Sequence, residues 1–90
     1  HNRTLDVPKL TVSYEYSKDD NEKFELLSCE KIINEENNKL TIEITSNNKF
    51  DITQRILSHS TKCKVISPDD FKAHIISTLK QMKEGYIEKH

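Results

Sequence analysis

Between residues 10 and 16 the chain alternates strictly, with Leu10, Val12, Tyr14 and Tyr16 on one side and Thr11, Ser13 and Glu15 on the other. A two-residue period of β-branched and aromatic side chains predicts a half-buried strand with both tyrosines in the core. A second alternation sets Leu40, Ile42 and Ile44 against Lys39, Thr41, Glu43 and Thr45. Residues 30–35 supply its hairpin partner, across Asn37-Asn38, two residues that tolerate the positive φ of a tight turn. Cys63 and Val65 alternate with Lys62 and Lys64, which predicts a short strand with a basic outer face.

Helical spacing appears in three places. Phe24, Leu26 and Leu27 follow the acidic start Asp19, Asp20 and Glu22, the pattern of a short helix. Ile52, Ile56 and His59 share a face, with Asp51 as the expected cap, Gln54 three residues later, and the turn-like Ser58–Thr61 stretch closing the helix. Ser67 is the expected cap of a longer helix, with Pro68 at its first position and Asp69 and Asp70 facing its dipole. Ile66 is placed to staple onto Phe71. Phe71, Ile75, Leu79, Met82 and Tyr86 then keep one apolar stripe, Ile76 lies beside it, and Gly85 is the expected end.

This order predicts an α+β fold, the ferredoxin-like βαββαβ with an added C-terminal helix. Its antiparallel sheet carries the helices on one face and leaves the polar sides of the strands on the other. Residues 1–9 show no period and read as a leader or linker; the domain is expected over residues 10–88.

Ninety residues make one small domain. At 33% hydrophobic and 32% charged, with one Gly and no Trp, its core is thin, which favours help from a partner surface. Net charge is −1, from 14 basic and 15 acidic residues. That balance argues against strong non-specific DNA binding, which needs a basic face to displace counterions. Cys29 and Cys63 are too few for a disulfide framework and fit small hydrophobes in a reducing, cytoplasmic setting. There is no run of apolar residues long enough to cross a membrane and no signal-peptide pattern at the start.

Catalytic motifs are missing: no nucleophile elbow, zinc-protease helix, phosphate loop or paired cysteines. One glycine leaves nothing to cradle a phosphate. His59 and His74 fall on different elements without a ligand-spaced Cys or carboxylate, so neither a metal nor a cofactor is expected. Asp69 and Asp70 are explained by capping. Lys62 and Lys64 invite more thought. Two lysines on one strand face, with Lys39 and Thr41 on a neighbouring strand, could hold a phosphate or nucleotide; equally, edge lysines guard against edge-to-edge association.

The segment from Phe50 to Tyr86 resembles the C-terminal extension, WCX, of bacterial WYL-domain transcriptional regulators. That pattern is a Phe- or Trp-led helix ending in I-L-S-x-G, a V-x-V-x-x-P strand and turn, and a helix running from F/L-x-x-x-I to M-x-x-x-Y. The matching residues are Phe50, Ile56, Leu57, Ser58, Val65, Pro68, Phe71, Ile75, Met82 and Tyr86. Ser60 stands where the family usually has Gly, so the turn either changes or bears strain, and Asn37-Asn38 replaces a frequent hairpin Gly. The resemblance implies a non-enzymatic regulatory module. It would form a homodimer, contact upstream WYL and winged-helix domains, assist in sensing a ligand such as a nucleotide or nucleic acid, and meet DNA only through those other domains. It also implies that these residues are a piece of a longer regulator. The alternative is a free-standing ferredoxin-like module whose open sheet face takes a small ligand or single-stranded nucleic acid.

Overall fold

A computed structural model describes residues 8–87. Most of the expected leader, and residue 88, lie outside them. The elements in chain order are β1 (Leu10–Ser17), β2 (Glu30–Glu36), β3 (Lys39–Ser46), α1 (Lys49–Ser58), a 3-10 turn (Ser60–Lys62), β4 (Cys63–Ser67) and α2 (Asp69–Ile87). The class is α+β: four strands in the order β2-β3-β1-β4, every neighbouring pair antiparallel, with two helices that both follow β3.

The period-2 segments became strands because alternation lets one face bury while the other stays wet. Val12, Tyr14 and Tyr16 of β1 and Leu40, Ile42 and Ile44 of β3 are buried, and Ile52, Ile56, Val65, Phe71 and Ile75 close over them in one core cluster. Thr11, Ser13, Glu15, Thr41 and Glu43 occupy the opposite face. Asn37 and Asn38 have φ of 52° and 67°, the double left-handed turn that a two-residue hairpin requires. Edge strand β2 slips register between Ile32 and Asn34, so Ile33 is the extra residue of a bulge.

The structure corrects several expectations. No helix forms between β1 and β2; residues 18–29 run as an irregular strap with turns at its two ends. Its groups are committed to distant partners: Arg55 Nη2 donates to the Glu25 carbonyl at 2.8 Å, the Leu27 N–H donates to Glu30, and the Phe24 ring packs on Tyr16. A helix of about ten residues is marginal by itself, so such tertiary bonds override it. Asn48, not Asp51, caps α1, accepting from the N–H groups of Phe50 and Asp51 at 2.9 and 3.3 Å. Asp51 is left in the first turn, where it faces the helix dipole.

Ser67 is the last residue of β4, paired with Ser13, so it is not the cap of α2; the Pro68 carbonyl opens that helix by accepting from the Lys72 N–H at 3.0 Å. Ile66 is the extra residue where β4 shifts register against β1, and it is exposed, outside the cluster that holds Phe71. Gly85 does not end α2, which continues to Ile87.

Candidate functional site

Two features stand out from the scaffold, a polar cluster that ties down the strap and an apolar surface along the helices. The cluster centres on Glu30, whose side chain has no exposed surface. Arg55 of α1 grips it in two places, Nε to Oε2 at 2.8 Å and Nη2 to Oε1 at 2.7 Å. Tyr14 donates its hydroxyl to Oε2 at 2.6 Å, and the Leu27 N–H donates to Oε1 at 2.9 Å. Burial alone would push the Glu30 carboxyl up, but the donors from Arg55, Leu27 and Tyr14 outweigh it and hold the group below its ordinary value. An ionised carboxylate with four donors is a clamp and has no proton to give.

His59 sits beside this clamp. Its Nε2 is 3.4 Å from the Tyr14 hydroxyl, and the rings of Tyr14, Tyr16 and Phe24 surround it at centroid distances of 4.9 to 5.6 Å. Burial, and then the nearby Arg55, keep the imidazole below its usual pKa. Farther out, Glu22 accepts from Tyr16 at 2.5 Å and from Lys62 Nζ at 2.7 Å. Those bonds, that from Lys62 foremost, bring the Glu22 carboxyl down to about 2. The strap is therefore buttoned at both ends, by Glu22 and by Glu30.

The apolar surface lies on the outer side of the two helices. The predicted apolar stripe of α2 is buried only at Phe71 and Ile75. From Leu79 to Ile87 every residue is exposed, Tyr86 at 88%. On α1, Phe50 is 65% exposed. Two hollows follow this surface. One, of about 390 Å³, is walled by Ile56, Leu57, Ser60, Thr61, Cys63, Ile75, Leu79 and Met82; the other, of about 370 Å³, lies between Phe50, Leu57, His74 and Thr78. Burial raises the Cys63 thiol to about 12, so it packs as a neutral wall of the first hollow.

Residues 9–83 of the chain match a family model, that of the WCX domain. The chain belongs to the WCX-domain family. A search of curated proteins found no match.

Within this WCX domain the four lysine and threonine positions singled out in the sequence separate. Lys39 and Thr41 lie on the open face of β3, with Lys39 and Thr41 beside a shallow hollow of about 250 Å³ that also meets Glu15, Asn34, Glu36 and Asn37. Lys64 on β4 stands opposite Glu15 of β1, which in turn stands opposite Thr41, so an acidic residue divides the row. Lys62 is not on the strand: it belongs to the 3-10 turn and bonds Glu22 and Asp19 while lying 5.1 Å from the centre of the Tyr16 ring. The expected strand began one residue too early, because the turn uses Lys62 to hold the strap.

His74 is half-buried, with Nε2 3.2 Å from the Thr53 hydroxyl and its ring against Phe71. Sequence reasoning missed the Tyr14–Glu30–Arg55 clamp, since its members are 16 to 25 residues apart. Among the described residues no three His, Cys, Asp or Glu side chains gather as metal ligands, and no helix is long and apolar enough to cross a membrane.

Proposed function

We propose that this WCX domain is a non-enzymatic regulatory module at the C-terminal end of a cytoplasmic WYL-family transcriptional regulator, where it dimerises and assists ligand sensing by the domain upstream. The observation that carries this is the uncovered apolar surface of Phe50, Ile76, Leu79, Met82 and Tyr86 on a domain of regulatory-type family. Exposed apolar stretches of this kind mark surfaces that meet another protein surface. The polar network, by contrast, is fully satisfied: among the described residues no buried side-chain nitrogen or oxygen lacks a partner. We read the sheet as a ferredoxin-like split whose first crossover helix has given way to the strap. Support comes from β1 lying between β3 and β4, with β2 outside β3.

Deleting residues 9–87 from the full regulator, followed by sedimentation of both proteins, tests the role. The deletion is expected to weaken the dimer; an unchanged dimer sinks the dimerising role.

The second reading places a ligand or single-stranded nucleic acid on the open sheet face. It is favoured by Lys39, Thr41 and Lys64 sharing that face, and opposed by Glu15 between them. Titrating a labelled oligonucleotide at two salt concentrations decides it, because phosphate contacts make affinity fall with salt. Binding that is absent at low salt rejects this reading.

A further inference from the structure

We infer that the hollow of about 370 Å³ between α1 and α2 is a binding site for a small aromatic carboxylate, its acid group paired with Lys49 and its ring against Phe50. This goes beyond the proposed function, which leaves ligand recognition to the domain upstream. The site also lies on the helix side of the sheet, away from the open face of the second reading.

The charge of the wall points to an acid. Lys49 and His74 line the hollow, and no Asp or Glu does. The adjoining hollow beyond Lys49 differs, since Asp70 lines it together with Leu10 and Phe71. Among the described residues Lys49 takes part in no ion pair, with Asp70 or with any other carboxylate. A lysine on an apolar wall without a counter-charge favours an incoming anion.

The hydrogens of the wall single out the same residue. Thr53 Oγ1 donates its one hydrogen to the Lys49 carbonyl at 2.9 Å, and Thr78 Oγ1 donates its own to the His74 carbonyl at 2.8 Å. Thr53 Oγ1 also lies 3.2 Å from His74 Nε2. With its hydrogen already used, that oxygen can only accept, so Nε2 carries a hydrogen and gives it to Thr53. Both hydroxyls and His74 Nε2 are thus committed within the wall. The Lys49 ammonium and the Gln54 amide are the side-chain donors kept for a guest.

The apolar part sets the body of the guest. Phe50 is 65% exposed, so the fold leaves one of its three phenylalanine rings largely wet. A flat ring laid against it would remove both faces from water and gain from offset stacking. A hollow of about 370 Å³ is at the small end for ligands, enough for one ring and a short chain. A nucleotide would exceed it and would set more than one negative charge against a single lysine.

Titrating the isotope-labelled 90-residue chain with 3-phenylpropanoate, followed by amide chemical shifts, tests this. Saturable shifts are expected within residues 49–57 and 74–78, with a Kd on the order of 1 mM for so small a guest. 3-Phenylpropanamide keeps the ring and loses the charge; it is expected to bind roughly fivefold more weakly, the worth of one exposed ion pair. Acetate keeps the charge and loses the ring, and is expected not to saturate. Lys49→Met is expected to abolish the advantage of acid over amide while the amide's own affinity and the circular dichroism stay unchanged. Phe50→Ser is expected to weaken both. Equal binding of acid and amide by the unmodified chain, or an advantage that survives Lys49→Met, overturns the inference. So does the absence of saturable shifts well past the millimolar range, or their confinement to β1, β3 and β4, which would move the guest to the open sheet face. None of these outcomes alters the sedimentation result by which the proposed function stands or falls.

Discussion

Ser60 holds φ at 59°, a left-handed backbone in which a side chain costs roughly 1–2 kcal/mol. It stands where the WCX pattern that the sequence resembles has glycine. The chain has therefore kept the turn and accepted the strain, the second of the two outcomes its sequence left open. Ser60→Gly is expected to raise stability by roughly 0.5–1 kcal/mol after the extra freedom of the unfolded glycine is counted, visible as a rise of a few degrees in Tm. A fall in Tm would show that the Ser60 side chain contributes more than its backbone loses. The clamp behaves in the opposite way. Arg55→Met strands the Glu30 carboxylate among buried neighbours and is expected to cost about 3 kcal/mol or more in urea unfolding. Adding Glu30→Gln should recover part of that loss, because a neutral amide no longer needs the guanidinium. Glu30 and Arg55 looked like ordinary surface charges in the sequence, since nothing in the local pattern of residues 28–32 or 53–57 reveals that they meet.

At the level of elements, what was legible depended on how local the deciding forces are. Strands β1 and β3 followed from a period of two within eight residues, and the hairpin turn from two adjacent asparagines. The α2 period was also legible, but not which part of its stripe the domain would cover, because that depends on how far the sheet reaches beneath it. The strap was illegible. Its polar start and its three apolar residues satisfy a helix rule, yet their partners, Arg55, His59 and Lys62, come from more than thirty residues later. Phe24 is the strap's link to that group, with its ring 4.5 Å from Tyr16, 5.5 Å from His59 and 5.4 Å from the Arg55 guanidinium. Phe24→Ala is expected to free residues 20–28 first: their amides should lose hydrogen-exchange protection while those of β1 and β3 keep it. Uniform loss across all four strands would mean that the strap and the sheet unfold as one unit.

For the whole molecule, the groups that titrate below neutral pH give stability one direction of acid dependence. The His59 imidazole is held below its ordinary 6.5, so the fold resists its protonation; stability is complete above that pH and declines as acid is added below it. Glu30 and Glu22, lowered from 4.5, stabilise the fold above pH 4.5 and withdraw that support as pH falls through their folded values. Denaturation midpoints should therefore start to fall just below pH 6.5 and drop further below pH 4.5. His59→Gln should flatten the first decline and leave the second. An unchanged first slope would assign it to another group.

The central place of β1 has a consequence for the order in which the protein can be made. On a ribosome this strand emerges before both of the strands it pairs with, β3 on one side and β4 on the other, whose Val65 lies opposite Tyr14. β4 follows β1 by about fifty residues, a few seconds of synthesis at ordinary rates. Throughout that interval β1 can pair only with β3, and its other edge waits open. A nascent chain halted before β4 would present that edge to any other strand nearby, so the step most exposed to misassembly comes before β4 and α2 are added.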